Sequence, residues 1–139
     1  MASRTKVDRL AWLRERSEDA ALGLLARARS ELDQARERRA RAVEGARHDG
    51  RVPGRAELWE LEEAAHRRAL QAVRAAERDA QRAQRDEVAA VGRYAAAHRA
   101  AESVRRLQAR RREELALELR RRERRSLDEL ATTRFNARS

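Results

Sequence analysis

The chain has 139 residues, 42% of them charged and 3% aromatic, with a net charge of +10, one proline and no cysteine. So few large apolar side chains cannot wrap a globular core around a substrate cavity, which excludes most enzyme architectures. The missing cysteine excludes disulfides and thiolate metal sites.

What remains is a composition rich in Ala, Glu, Arg and Leu. Charges of mixed sign on strong helix formers favour long helices joined along a narrow seam over disorder. The length fits one domain, residues 1–139. Residues 1–6 lack the apolar stretch of a signal peptide, and no run approaches the roughly 20 apolar residues of a membrane span, so a cytoplasmic protein without membrane insertion is expected.

Thr5 with Asp8 three residues later reads as a capping box that starts a first helix, expected over about residues 5–47. Val7, Leu10, Leu13, Ala20, Leu24, Ala28, Ala35, Ala42 and Ala46 recur mostly in steps of three and four and form its expected seam. Gly23 lies inside this helix at a cost of about 1 kcal/mol relative to Ala. On a seam it would permit close approach of a partner helix.

The breakers cluster at His48-Asp49-Gly50-Arg51-Val52-Pro53-Gly54, which predicts a turn over about residues 48–54. A second helix is expected over about 55–131, with a tail at 132–139. Its heptad is the cleaner one: Ala69, Val73, Ala76, Ala80, Ala83, Ala90, Tyr94, Ala97, Ala101 and Val104, with Glu87 as the odd member. Small seam residues let two backbones pack closely, and the short connection makes the helices neighbours. The fold class is therefore all-α, an antiparallel two-helix coiled-coil hairpin with a longer C-terminal helix. Folding at Arg51 sets Thr5 opposite Ala97. The remainder, from Glu102 to Ser139, then extends as an unpaired overhang with 12 Arg against 7 acids. It carries Leu107, Leu115, Leu117, Leu119, Leu127 and Leu130, and an unpaired helix so rich in leucine needs a partner.

Other chemistry is thinly represented. Glu63 and His66 have the Glu-x-x-His spacing of di-iron bundles, but no second copy accompanies them, so a charged surface turn is the reading. No nucleophile motif or phosphate-binding glycine loop is present, and neither catalysis nor a cofactor is expected. The runs Arg110–Arg112 and Arg120–Arg122 could meet phosphates, yet acids interrupt them and no aromatics interleave to stack bases. Pairs such as Glu37 with Arg41 read as solvated helix faces. Trp12 and Trp59 either cover the seam or serve as binding anchors.

Leu10 and Leu13 are followed by Arg14-Glu15-Arg16-Ser17-Glu18-Asp19-Ala20-Ala21. A glycine-containing turn leads to Leu58-Trp59-Glu60-Leu61, and the chain closes on Val104, Leu107, an Arg/Glu tract, Glu123 and Leu127-Asp128-Glu129. Over essentially its full length this pattern resembles the FliJ/YscO family of type III secretion stalk proteins, more closely the flagellar branch. The family commonly has Glu-Gln-Lys before its hydrophobic-Asp-Glu; this chain has Arg124-Arg125 there.

The resemblance implies a stalk at the cytoplasmic face of a secretion apparatus. It would be a monomeric hairpin when free, set in the pore of a hexameric export ATPase, touching the export gate and in some members handling export chaperones. It assigns ATPase contact to Leu10, Leu13, Arg120, Arg121, Glu123, Leu127, Asp128 and Glu129, and export-gate contact to Leu58, Trp59 and Leu61. The residues alone leave two alternatives: a structural coiled-coil oligomerisation protein and a basic helical nucleic-acid binder.

Overall fold

The computed structural model of the protein describes residues 5–47 and 56–138. Among these the architecture is all-α: α1 spans Lys6–Arg47 (42 residues) and α2 spans Ala56–Arg138 (83 residues), the expected two-helix hairpin with the longer second helix. The expected turn at 48–54 lies outside the described residues.

The capping box forms as the sequence predicts. Thr5 donates its backbone N–H (3.1 Å) and its hydroxyl (2.7 Å) to Asp8 Oδ2, and the Asp8 N–H donates back to Thr5 Oγ1 at 3.2 Å. The N-terminal N–H groups that no helical carbonyl can satisfy are thereby partly met.

At the other end α2 does not stop at Ala131; the expected tail is helix through Arg138. No Gly or Pro follows Gly92 to break it. Thr132 and Thr133 turn their hydroxyls back onto the carbonyls of Asp128 and Glu129, each at 2.8 Å, so these residues stay inside the helical hydrogen-bond network.

The chain divides into two compact units. The middle unit, residues 18–97, pairs the bulk of α1 with α2. Leu25, Ala28 and Ala90 form its buried cluster, with Tyr94 packed against them. The Arg29 guanidinium lies 3.6 Å from Glu87, the charged member of the α2 heptad. The terminal unit, residues 1–17 and 98–139, closes on Val7, Ala11 and Val104. Within each unit residue numbers fall along one helix as they rise along the other, so the pairing is antiparallel.

On α2 the heptad read from sequence is the seam: Ala80, Ala90, Ala101 and Val104 are buried, and Ala69, Val73, Ala76, Ala83, Tyr94 and Ala97 are half-buried. On α1 the expected seam is corrected. Val7, Ala11, Leu25, Ala28, Leu32 and Ala35 are buried, whereas Leu10, Leu13, Ala20 and Leu24 are exposed. Two heptads interleave on this helix. The one through Leu10 and Leu24 runs into Arg27, Glu31 and Arg38, while the one through Ala21, Leu25, Ala28, Leu32 and Ala35 stays apolar across the middle unit. An unbroken apolar run outweighs one that charged residues interrupt. Gly23 is consequently off the seam, and a Cβ placed on it would meet nothing within 4 Å.

The register also differs. Asp8 meets Gln108 and Arg29 meets Glu87, two pairs each centred on position 58 rather than on Arg51. Thr5 therefore does not stand at the level of Ala97. Ala101 and Val104 are seam residues, and the fully exposed stretch of α2 begins only after Gln108.

Candidate interaction surfaces

In the terminal unit the paired part of the helices is held on one side by a polar ladder. Gln108 Nε2 donates to Asp8 Oδ1 at 3.0 Å. Arg105 donates to Glu102 at 2.6 Å and lies 3.8 Å from Glu15 of α1. The hydrogen bonds from Thr5, then that from Gln108, hold the Asp8 carboxyl below its ordinary value; the hydrogen bond from Arg105 does the same for Glu102.

On the adjoining side Leu10 and Leu107 remain partly open, at 39% and 41% exposure, with Leu13 beside Leu10 on α1. These are apolar side chains that the pairing of α1 with α2 leaves at its rim. Trp12 stands apart from the seam, with the Arg16 guanidinium over its ring at 4.7 Å from the centroid. Such a stacked pair contributes about 0.5–1 kcal/mol.

Beyond Gln108 every described residue of α2 is exposed. Arg120, Arg121, Glu123, Leu127, Asp128 and Glu129 all lie on this segment, in the same unit as Leu10 and Leu13. They do not form one surface. Successive residues of a helix are about 100° apart, so Leu127, Asp128 and Glu129 project in three directions. Arg120, Glu123 and Leu127 share a face at i, i+3 and i+7.

Of the overhang leucines named from the sequence, Leu115, Leu119 and Leu130, with Ser126 between them, share the face that continues the α2 seam, a grouping the sequence reading did not make. Extending the spacing of Val104 and Gln108 by eleven residues gives Leu115 and Leu119, and by eleven again Ser126 and Leu130. Eleven residues are three helical turns, so the stripe stays on one side of a straight helix. Leu115 also lines, with Thr5, Val7, Asp8, Gln108, Arg112 and Glu118, a groove in α2 where α1 begins.

Leu58, Trp59 and Leu61 lie in the first turns of α2, in the middle unit, all exposed at 50–68%. Glu63 is exposed there, and no group of three or more His, Asp or Glu side chains stands together as a metal site among the described residues. No described helix is long and apolar enough to cross a membrane.

Charge is unevenly divided. The terminal unit holds 18 basic against 9 acidic residues, a net of +9, and the middle unit 16 against 15, a net of +1. Almost all of the chain's excess charge thus belongs to the unit with the exposed leucine stripe. Such an electrostatic field favours an anionic partner surface there. No family model, curated protein or solved structure matches this chain.

Proposed function

We propose that the chain is a non-enzymatic stalk of a type III or flagellar protein export apparatus. Its terminal unit is held by the hexameric export ATPase, and Leu58, Trp59 and Leu61 contact the export gate at the cytoplasmic face. Export chaperones are a further class of partner for the exposed leucines. The observation that carries this reading is that α2 outruns its partner helix. Past Gln108 about 45 Å of helix keeps the apolar side of the seam. Leu115, Leu119 and Leu130 occupy that side, all more than half exposed. Burying each against another protein is worth about 1.5–3 kcal/mol. A ring that surrounds a helix offers walls to every face at once, which accommodates leucines and arginines distributed around the axis.

The test is the ATP hydrolysis rate of the cognate export ATPase titrated with the full chain and with residues 1–108. Cutting after Gln108 keeps Ala101, Val104 and Gln108 in the seam and removes only the exposed helix. Stimulation by the full chain and none by the truncation is the expected result. Equal stimulation by both, or none by either, rules the reading out.

A further inference from the structure

The excess charge of the terminal unit is concentrated at one level. Residues 5–10 and 106–112, brought together by the Asp8–Gln108 hydrogen bond, hold six cations, Lys6, Arg9, Arg106, Arg110, Arg111 and Arg112, against one acid, Asp8. Past Arg112 the chain has 7 basic and 6 acidic residues, so the rest of the overhang is close to neutral. All six cations are exposed, and none of them forms a salt bridge among the described residues. Asp8 is committed elsewhere, because Thr5 and Gln108 take its two carboxylate oxygens.

The six do not share a side. Val7 is buried and Gln108 is bonded to Asp8, which fixes the sides of α1 and α2 that face each other. Residues two apart on a helix point about 160° apart. Arg9 therefore stands on the side of α1 away from α2, and Arg106 and Arg110 on the side of α2 away from α1. Arg111 and Arg112 border, with Thr5 and Val7, the groove where α1 begins. The cations thus surround the helices at the level where one helix becomes two.

We propose that this collar seats against an encircling rim of carboxylates on the ring that holds the terminal unit. The inference rests on the stalk reading and adds to it the chemistry of the partner's opening. Geometry selects the occupant. A lipid surface or a duplex meets one side only, and leaves either Arg9 or the pair Arg106 and Arg110 facing water. A single nucleic-acid strand can wrap, but neither segment of the collar carries an aromatic side chain on which its bases would stack. Carboxylates set around a bore meet the cations on every side, and the planar fork of arginine pairs with a carboxylate through two hydrogen bonds.

The test is the chain concentration that half-maximally stimulates the cognate export ATPase, measured at about 0.1 M and about 0.5 M salt. Two variants neutralise opposite sides of the collar: Lys6→Gln/Arg9→Gln on α1 and Arg106→Gln/Arg110→Gln on α2. Each is expected to raise that concentration about tenfold at the lower salt and about twofold or less at the higher, with maximal stimulation kept. Arg36→Gln/Arg39→Gln, in the middle unit, changes neither. All four collar positions are exposed, so the helical circular dichroism signal stays undiminished and separates lost contact from lost fold. If the full chain gives no stimulation, the stalk reading falls and the collar with it. If the full chain stimulates and either pair of substitutions leaves the concentration unchanged, the stalk reading stands and the encircling contact is overturned. Tighter binding to a single DNA strand of about 30 bases, or to phosphatidylglycerol vesicles, than to the ATPase also overturns it when both variants lose that binding.

Discussion

Gln108 donates a hydrogen bond of 3.0 Å to Asp8, a residue exactly one hundred positions earlier. Asp8 is also the N3 partner of Thr5 in the capping box, so one carboxylate both caps α1 and fastens it to α2. The last α2 residue with a partly covered side chain and the first turn of α1 are thus tied at a single point. Gln108→Ala and Asp8→Ala are both expected to fray the first turns of α1, seen as faster amide exchange over about residues 7–12, with exchange around Leu32 unchanged. Uniform loss of protection in both regions would contradict this.

The same carboxylate sets a pH dependence. Its hydrogen bonds from Thr5 and then Gln108 put its folded value below the ordinary one, and Arg105 lowers Glu102 likewise. A carboxylate held low in the folded state stabilises fully above its unfolded value, about 3.9 for Asp and 4.3 for Glu. That contribution drains away as pH falls through the lowered folded value. Thermal stability of the terminal unit should accordingly be flat from about pH 7 to about pH 5 and decline below about pH 4. Asp8→Asn should flatten part of the acid limb; an identical acid profile in that variant would remove Asp8 as its source.

Glycine weakens both helices without a packing reason. At Gly23 and at Gly92 a Cβ would meet nothing within 4 Å, and neither has positive φ. Replacing each with Ala restricts the unfolded chain and costs nothing in the folded one. Gly23→Ala and Gly92→Ala should therefore each stabilise by about 0.5–1 kcal/mol, read as a higher midpoint in urea at unchanged slope. A lower midpoint for Gly23→Ala would mean that something covers that face.

How much of this was legible in the sequence differs between the helices. α2 shows one dominant heptad, and its seam from Ala69 to Val104 could be read directly. α1 carries two interleaved heptads. The expected seam was right at Val7, Ala28 and Ala35 and wrong at Leu10, Leu13, Ala20 and Leu24, because burial followed the heptad that stays apolar through Leu25 and Leu32. The turn composition did not set the register of the helices. Register is set by which pairs meet, Arg29 with Glu87 and Asp8 with Gln108, and no single helix encodes that. Among the candidate contact residues, the Leu127-Asp128-Glu129 run was conspicuous as text but is spread around the helix. The leucine stripe at 115, 119 and 130 was less conspicuous because its period changes from seven to eleven past the level at which α1 begins.

The narrowness of the seam gives the sharpest prediction about packing. Ala35 and Ala101 are each only 1% exposed, and no large side chain among the described residues is covered as fully. At these two positions the seam has room for no more than a methyl group, and any added branch must push the neighbouring atoms apart. Ala35→Leu and Ala101→Leu should each destabilise by about 1–3 kcal/mol despite adding apolar surface. The Leu10→Ala change, at a site that the sequence alone would place in the seam, should cost much less because that side chain is already 39% exposed. Urea denaturation separates these outcomes. If Leu at position 101 stabilised the chain while Ala at position 10 destabilised it by more than about 2 kcal/mol, the seam assignment on α1 would have to be reversed.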